Sequence, residues 1–87
     1  MAQHKRKELA LRVRRIQGHV HAISKMLDEG RSYSEVAHQV VAVRAALDGV
    51  VQVIVADLVE DCVARMNRKE VIRDSILELQ AVVGKIR

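Results

Sequence analysis

The chain has no tryptophan, no phenylalanine, no proline and a single cysteine and tyrosine in 87 residues. One cysteine cannot close an internal disulfide, so nothing points to an oxidising compartment. Without aromatic rings the chain lacks the stacking platforms on which proteins hold single-stranded nucleic acid. It also lacks the Trp or Phe that usually anchors a helix on a membrane surface. Its core must come from Val, Leu, Ile and Ala, and at this length one core supplies only a few kcal/mol. Hydrophobic residues still make up 49% of the chain, too many for a disordered tail. A small apolar chain with neither aromatics nor disulfides usually gains core by self-association, so an oligomer is expected.

Positive charge is concentrated rather than spread. The formal charge is +4, yet residues 1–31 hold eight Lys/Arg against three Asp/Glu, 32–66 hold two against five, and 67–87 hold five against three. A basic first segment favours an anionic partner, nucleic acid above all; an ordinary solvated face is the plainer alternative. No apolar signal-peptide core follows the N-terminal charges. Gln52 and Asp57 interrupt the apolar middle short of the ~20 clean residues that a membrane span needs. A cytoplasmic protein without a membrane partner is expected, as one domain over residues 1–87.

Apolar periodicity predicts three helices. Leu9, Val13, Ile16, Val20, Ile23 and Leu27 step by four and three, a helical stripe over about Lys5 to Glu29, with Arg12, Arg14, Arg15 and Lys25 on other faces. Gly30 is a stop signal, Ser32 or Ser34 can cap a second helix to about Met66, and Ser32-Tyr33-Ser34-Glu35 reads as a capping box. That helix carries Val36, Val40, Val43, Leu47, Val50, Ile54 and Leu58 on one stripe, with Val41, Val51, Val55, Val59 and Cys62 beside it. Asn67 breaks it, and Ile72, Ile76, Leu79, Val83 and Ile86 mark a third. At 1.5 Å per residue the first two helices span roughly 37 and 48 Å, so a hairpin leaves much of the second uncovered. Two hairpins in an antiparallel four-helix bundle would cover it, dimer and tetramer both being compatible.

Arg12 and Arg15, with Lys5, Arg6 and Arg31 as further cations, suit phosphate contacts. Duplex DNA, read through backbone and groove shape, fits best, although no short helix-turn-helix pair is evident. No base–nucleophile pair, phosphate loop or paired carboxylates suggest an enzyme.

Three stretches carry a family resemblance: Arg12-Val-Arg-Arg-Ile-Gln-Gly-His-Val, Lys25-Met-Leu-Asp-Glu-Gly-Arg31, and Gln39-Val-Val-Ala-Val-Arg-Ala-Ala-Leu47. In that order, over nearly the whole chain, they closely resemble the CsoR/RcnR/FrmR family of all-helical bacterial repressors. Its members release operator DNA on meeting copper, nickel or cobalt, formaldehyde, or sulfur species. The resemblance implies three-helix protomers paired in a four-helix bundle, usually as a homotetramer built from two dimers. It also implies DNA contacts at Arg15 and Arg44, with Arg12 and Arg14 as neighbours. The family's copper ligands, an early Cys on helix 2 and a later His and Cys on the partner's helix 2, correspond here to Tyr33, Leu58 and Cys62. Two of the three are thus substituted, the early Cys that serves formaldehyde sensing among them. No cofactor is assigned outright; Cu(I) and Ni(II) are the metals the resemblance brings forward.

Met66, one turn after Cys62, is a second soft donor, and His4, His19 and His21 are further candidates, though His19 and His21 cannot share a helix face. Cys62 is a metal ligand, a buried small thiol or a redox or electrophile switch. Tyr33 fills a ligand's place with a ring or contacts the inducer. Met26 is read as core, His38 as a surface or interface histidine, and Asp57, Glu60 and Asp61, which cluster near Cys62, as a solvated acidic patch rather than a group coupled to the sensor region. The expected function is a DNA-binding repressor released by an effector near Cys62; the alternative is a structural or protein-interaction bundle that senses no metal.

Overall fold

The computed structural model describes residues 5–67 and 73–86. Three helices follow one another, α1 (Arg6–Asp28), α2 (Tyr33–Asn67) and α3 (Arg73–Ile86), with no strand among the described residues. Ile72, assigned to the third stripe from sequence, lies outside the described residues, as does His4.

The α1–α2 connection is built as its residues dictate. Gly30 adopts φ +72°; its N–H donates to the Leu27 carbonyl at 3.1 Å and that of Arg31 to Met26 at 3.0 Å. This is the paired Schellman arrangement that satisfies the last carbonyls of a helix. Left-handed backbone is costly for any residue with a Cβ. Gly30→Ala is therefore expected to cost about 1 kcal/mol, read from a urea midpoint that falls with an unchanged slope. Ser32 then caps α2, its Oγ accepting from the Glu35 N–H at 3.2 Å. Only half of the capping box forms as expected, because the Glu35 carboxylate takes Arg31 Nε at 2.7 Å.

α1 folds back along α2, but not through the stripe read from sequence. Leu9, Ile16 and Ile23 do turn inward. Their companions in the seam are Arg12, His19 and Met26, which are half-buried, while Val13, Val20 and Leu27 stay 41%, 49% and 51% exposed. The contact follows a heptad, 9-12-16-19-23-26, whereas the apolar series 13-20-27 runs beside it. The physical reason is that α1 has two apolar faces to satisfy and α2 of its own chain covers only one.

α2 shows the same division. Val36 and Val43 are buried against α1, and they are the buried hydrophobic residues among those described. Val40, Val41, Leu47, Val59 and Val63 remain 43–52% exposed. By length and composition α2 could cross a membrane, so Gln52 and Asp57 interrupt it less than expected. α3 packs on the second half of α2 through Leu79 and Val82, leaving Ile76, Val83 and Ile86 exposed. The protomer measures 58 × 26 × 13 Å, with a radius of gyration of 17.3 Å. A compact chain of this length would have about 12 Å, and 13 Å is little more than one helix diameter. The protomer is one layer of helices, and a stable core needs two.

One expectation fails outright. Asp57 and Asp61 form no solvated patch: they are 7% and 1% exposed, and Asp61 is the most deeply buried side chain among the described residues. Arg65 Nε lies 3.4 Å from the Asp61 carboxylate, and Lys5 Nζ lies 3.8 Å from Glu60. The N-terminal end of the hairpin thus brings a cation to the exposed Glu60 in the far half of α2, while the buried Asp61 is accompanied by Arg65 of its own helix.

Candidate nucleic-acid interface and effector region

The four arginines singled out from sequence do not share one face. Arg12 lies in the α1–α2 seam, where its Nη2 contacts Glu8 at 3.2 Å. Its Nη1 lies 3.5 Å from where a Cβ on Gly49 would stand. With Arg15, Ile16 and His19 it lines a groove of about 290 Å³ whose α2 side is Ala45, Ala46 and Gly49. Arg14, two residues on, turns to the other side of α1, lining a second groove with Leu9, Val13, Gln17, Val50 and Ile54. Arg44 is exposed on α2. Within one protomer only Arg12 and Arg15 converge.

His19 is fixed by an interaction the sequence reading did not include: its Nε2–H donates to Gln39 Oε1 at 2.6 Å, across from α1 to α2. The heptad spacing of Leu9, Arg12, Ile16 and His19 is the signal that could have placed it in the seam. Met26 and Gln39 are also half-buried, beside a shallow pocket shared with Arg31, Glu35 and an exposed His38.

The effector candidates are divided between the two ends of α2. Tyr33 opens the helix and is 85% exposed; Leu58 and Cys62 lie near its other end and are half-buried. The 29 residues from Tyr33 to Cys62 span about 43 Å of helix, so one protomer cannot bring them together. Met66 follows Cys62 by one turn and is 58% exposed. His19 is tied to Gln39, about 34 Å along α2 from Cys62, and the exposed His21 lies beside it in sequence, far from the thiol of its own chain. Among the described residues no cluster of three or more His, Cys, Asp or Glu could hold a metal ion. A transition-metal centre needs two to four converging N or S donors. Tyr33, Leu58 and Cys62 supply one thiol, so these three positions by themselves do not fit Cu(I) or Ni(II).

The fold and site define an all-helical protein with an arginine-lined groove and an apolar face that its own chain leaves uncovered. The chain belongs to the metal-sensitive transcriptional repressor family, which matches residues 5–85. It is similar to a solved structure, the nickel-responsive transcriptional regulator InrS, with 32% identity and a TM-score of 0.82 over 100% of this chain and 98% of that one. No curated protein sequence matches. The protein is accordingly a DNA-binding repressor of the metal-sensitive type, and the reading of a structural or protein-interaction bundle is not favoured.

Proposed function

We propose that residues 1–87 act as a single DNA-binding unit, a cytoplasmic, non-enzymatic homo-oligomer. It holds duplex DNA through Arg12 and Arg15, with Arg14 and Arg44 added as protomers pair, and is released by an effector at Cys62. The observation that carries this reading is the geometry of α2. Its apolar face is left open by its own chain, and Tyr33 and Cys62 stand at opposite ends of it. An antiparallel partner covers that face and sets Tyr33 of one chain against Leu58 and Cys62 of the other, the arrangement that the resemblance implies. The effector pocket then exists only in the assembly, which is how its state reaches the arginines: whatever binds between two chains alters how their basic surfaces are presented together. A change in DNA affinity of 5- to 150-fold corresponds to about 1–3 kcal/mol of coupling.

Because one thiol is not a metal centre, the effector is either a metal that recruits donors beyond these three positions or a thiol-reactive species. The test is a titration of reduced protein on its own upstream promoter DNA with Cu(I), Ni(II) and a persulfide donor, repeated with Cys62→Ala. Release that requires Cys62 bears the reading out. Release that survives the substitution moves the effector site elsewhere. In the same assay Arg15→Ala is expected to weaken binding roughly tenfold and lower the salt slope by about 1; unchanged binding would remove that residue from the DNA face.

A further inference from the structure

The side that α1 turns towards α2 is not its more apolar one. Two stripes compete for that place. One is wholly apolar, with Val13, Val20 and Leu27 joining Leu9, Ile16 and Ile23. The other, the one in use, keeps Leu9, Ile16 and Ile23 but adds Arg12, His19 and Met26. At about 100° per residue the centres of the two stripes lie about 50° apart around the helix. A turn of α1 about its own axis would therefore exchange them without moving it along α2. By apolar burial the first stripe should win, yet Val13, Val20 and Leu27 stay 41%, 49% and 51% exposed. Apolar area does not decide.

A polar contact does. The stripe of α2 that meets α1 holds Val36 and Val43, both buried, and the half-buried Gln39 lies between them at heptad spacing. His19 Nε2–H donates to Gln39 Oε1 at 2.6 Å. Arg12, farther along, is tolerated against Gly49, where an added Cβ would stand 3.5 Å from Nη1. Turning α1 to its other stripe would carry His19 out to water and bring Val20 to that level of the seam. The Gln39 amide would then lie half-buried beneath an aliphatic side chain, its hydrogen bond unmade. An isolated polar pair in an apolar seam fixes alignment because a competing alignment strands one of its members. We propose that the His19–Gln39 pair is the specificity determinant of the hairpin. It selects which apolar stripe of α1 packs on α2 of the same chain, and so leaves Val13, Val20 and Leu27 to a second copy. His19 and Gln39 are positioning residues in this role. Only the second part, the stripe left to a second copy, rests on the homo-oligomer proposed above.

The test asks which methyl groups of α1 meet those of Val36 and Val43. Methyl nuclear Overhauser contacts in the full-length protein read this, and mixed-labelled samples separate contacts within a chain from those between chains. In the wild type, Ile16 and Ile23 should show intrachain contacts, and Val13 and Val20 should not. Gln39→Leu keeps the volume, strands His19 in the present seam and makes the competing seam wholly apolar. It is expected to turn α1, so that Val13 and Val20 gain intrachain contacts to α2. Gln39→Glu keeps an acceptor for His19 and should retain the wild-type pattern. With half the chains turned, the apparent dimer dissociation constant from sedimentation rises about fourfold, because both partners must present the right stripe. Circular dichroism confirms that each variant is folded. Should Gln39→Leu lose its helicity, His19→Ala decides on the same contacts, since it removes the bond with a residue of high helix propensity.

A folded Gln39→Leu that keeps the wild-type contacts overturns the selection. So does a Gln39→Glu that behaves like Gln39→Leu, because the shape of the side chain and not its hydrogen bond would then count. Wild-type protein in which Val13 and Val20 already meet α2 of their own chain overturns it as well. A wild type that stays monomeric at every concentration refutes the homo-oligomer and the second part with it, while the intrachain contacts decide the first part on their own.

Discussion

Leu47→Glu is expected to take the assembly apart and unfold the chain at concentrations where the wild type is folded. Leu47 is 47% exposed in the protomer and shares a heptad face of α2 with Val40, itself 49% exposed, in the part of that face that α1 of its own chain leaves open. Full burial of a leucine contributes about 1.5–3 kcal/mol, and an unpaired carboxylate in its place adds a desolvation cost of several more. A two-fold interface repeats any substitution in both chains. At 1.4 kcal/mol per decade, the dissociation constant should rise on the order of 10³-fold or more. Because the protomer is one helix layer thick, monomers have little core of their own, and helicity should fall together with mass. Sedimentation velocity and far-ultraviolet circular dichroism at matched protomer concentrations read the two quantities. Leu47→Met, which preserves volume and apolarity, should keep both. An intact oligomer carrying Leu47→Glu would show that this face is not the one covered by the partner.

The same single-layer geometry explains what the sequence could and could not convey. Helix number, helix ends within a residue or two, the Gly30 stop and the Ser32 cap all depend on neighbours in the chain, and local chemistry decides them. The division of each apolar face between intrachain and interchain contact does not. Leu9, Val13, Ile16, Val20, Ile23 and Leu27 make one regular stripe on paper; in the structure Leu9, Ile16 and Ile23 pack on α2, while Val13, Val20 and Leu27 stay open. A sequence says that both sets want burial without saying against which helix. Arg12 was legible as a cation, but a guanidinium in a helix–helix seam contradicts the usual rule that charge marks the outer face. It became visible only when Gly49 and Ala45 were seen to leave it room. The effector region was legible through resemblance alone, since residues 29 apart on one helix share no local signal. Asp57 and Asp61 misled for the opposite reason: three acids within five residues look like solvent-facing surface, yet two of them are buried, and Arg65 on the same helix pairs with Asp61 at 3.4 Å.

Those buried acids set the second large effect. Asp61→Ala is expected to cost about 3 kcal/mol or more, the scale for removing one partner of a buried ion pair. Asp61 is 1% exposed and Arg65 only 20%, so the guanidinium at 3.4 Å cannot swing fully into water when its carboxylate is gone. The loss is thus more than a vanished attraction, because a partly desolvated cation is left behind. For a chain of this size, 3 kcal/mol corresponds to a fall of at least about 12 °C in melting temperature, measured at a fixed protomer concentration because assembly contributes to it. Asp61→Asn keeps the shape and a hydrogen-bond acceptor but not the charge, and should fall between wild type and alanine. Arg65→Ala joined to Asp61→Ala should cost clearly less than the two single substitutions together, since each already breaks the same pair. Additive costs would mean that Asp61 is stabilised by groups other than Arg65, and a loss under 1 kcal/mol would mean that its burial does not hold α2 in place. The expected coupling has a functional side. Asp61 precedes Cys62 directly in the sequence, so the contact that fixes the carboxylate also fixes the turn of α2 that carries the thiol. On the proposed reading, in which the effector acts at Cys62, Asp61→Ala should therefore blunt effector-driven release of DNA even at temperatures where the protein remains folded.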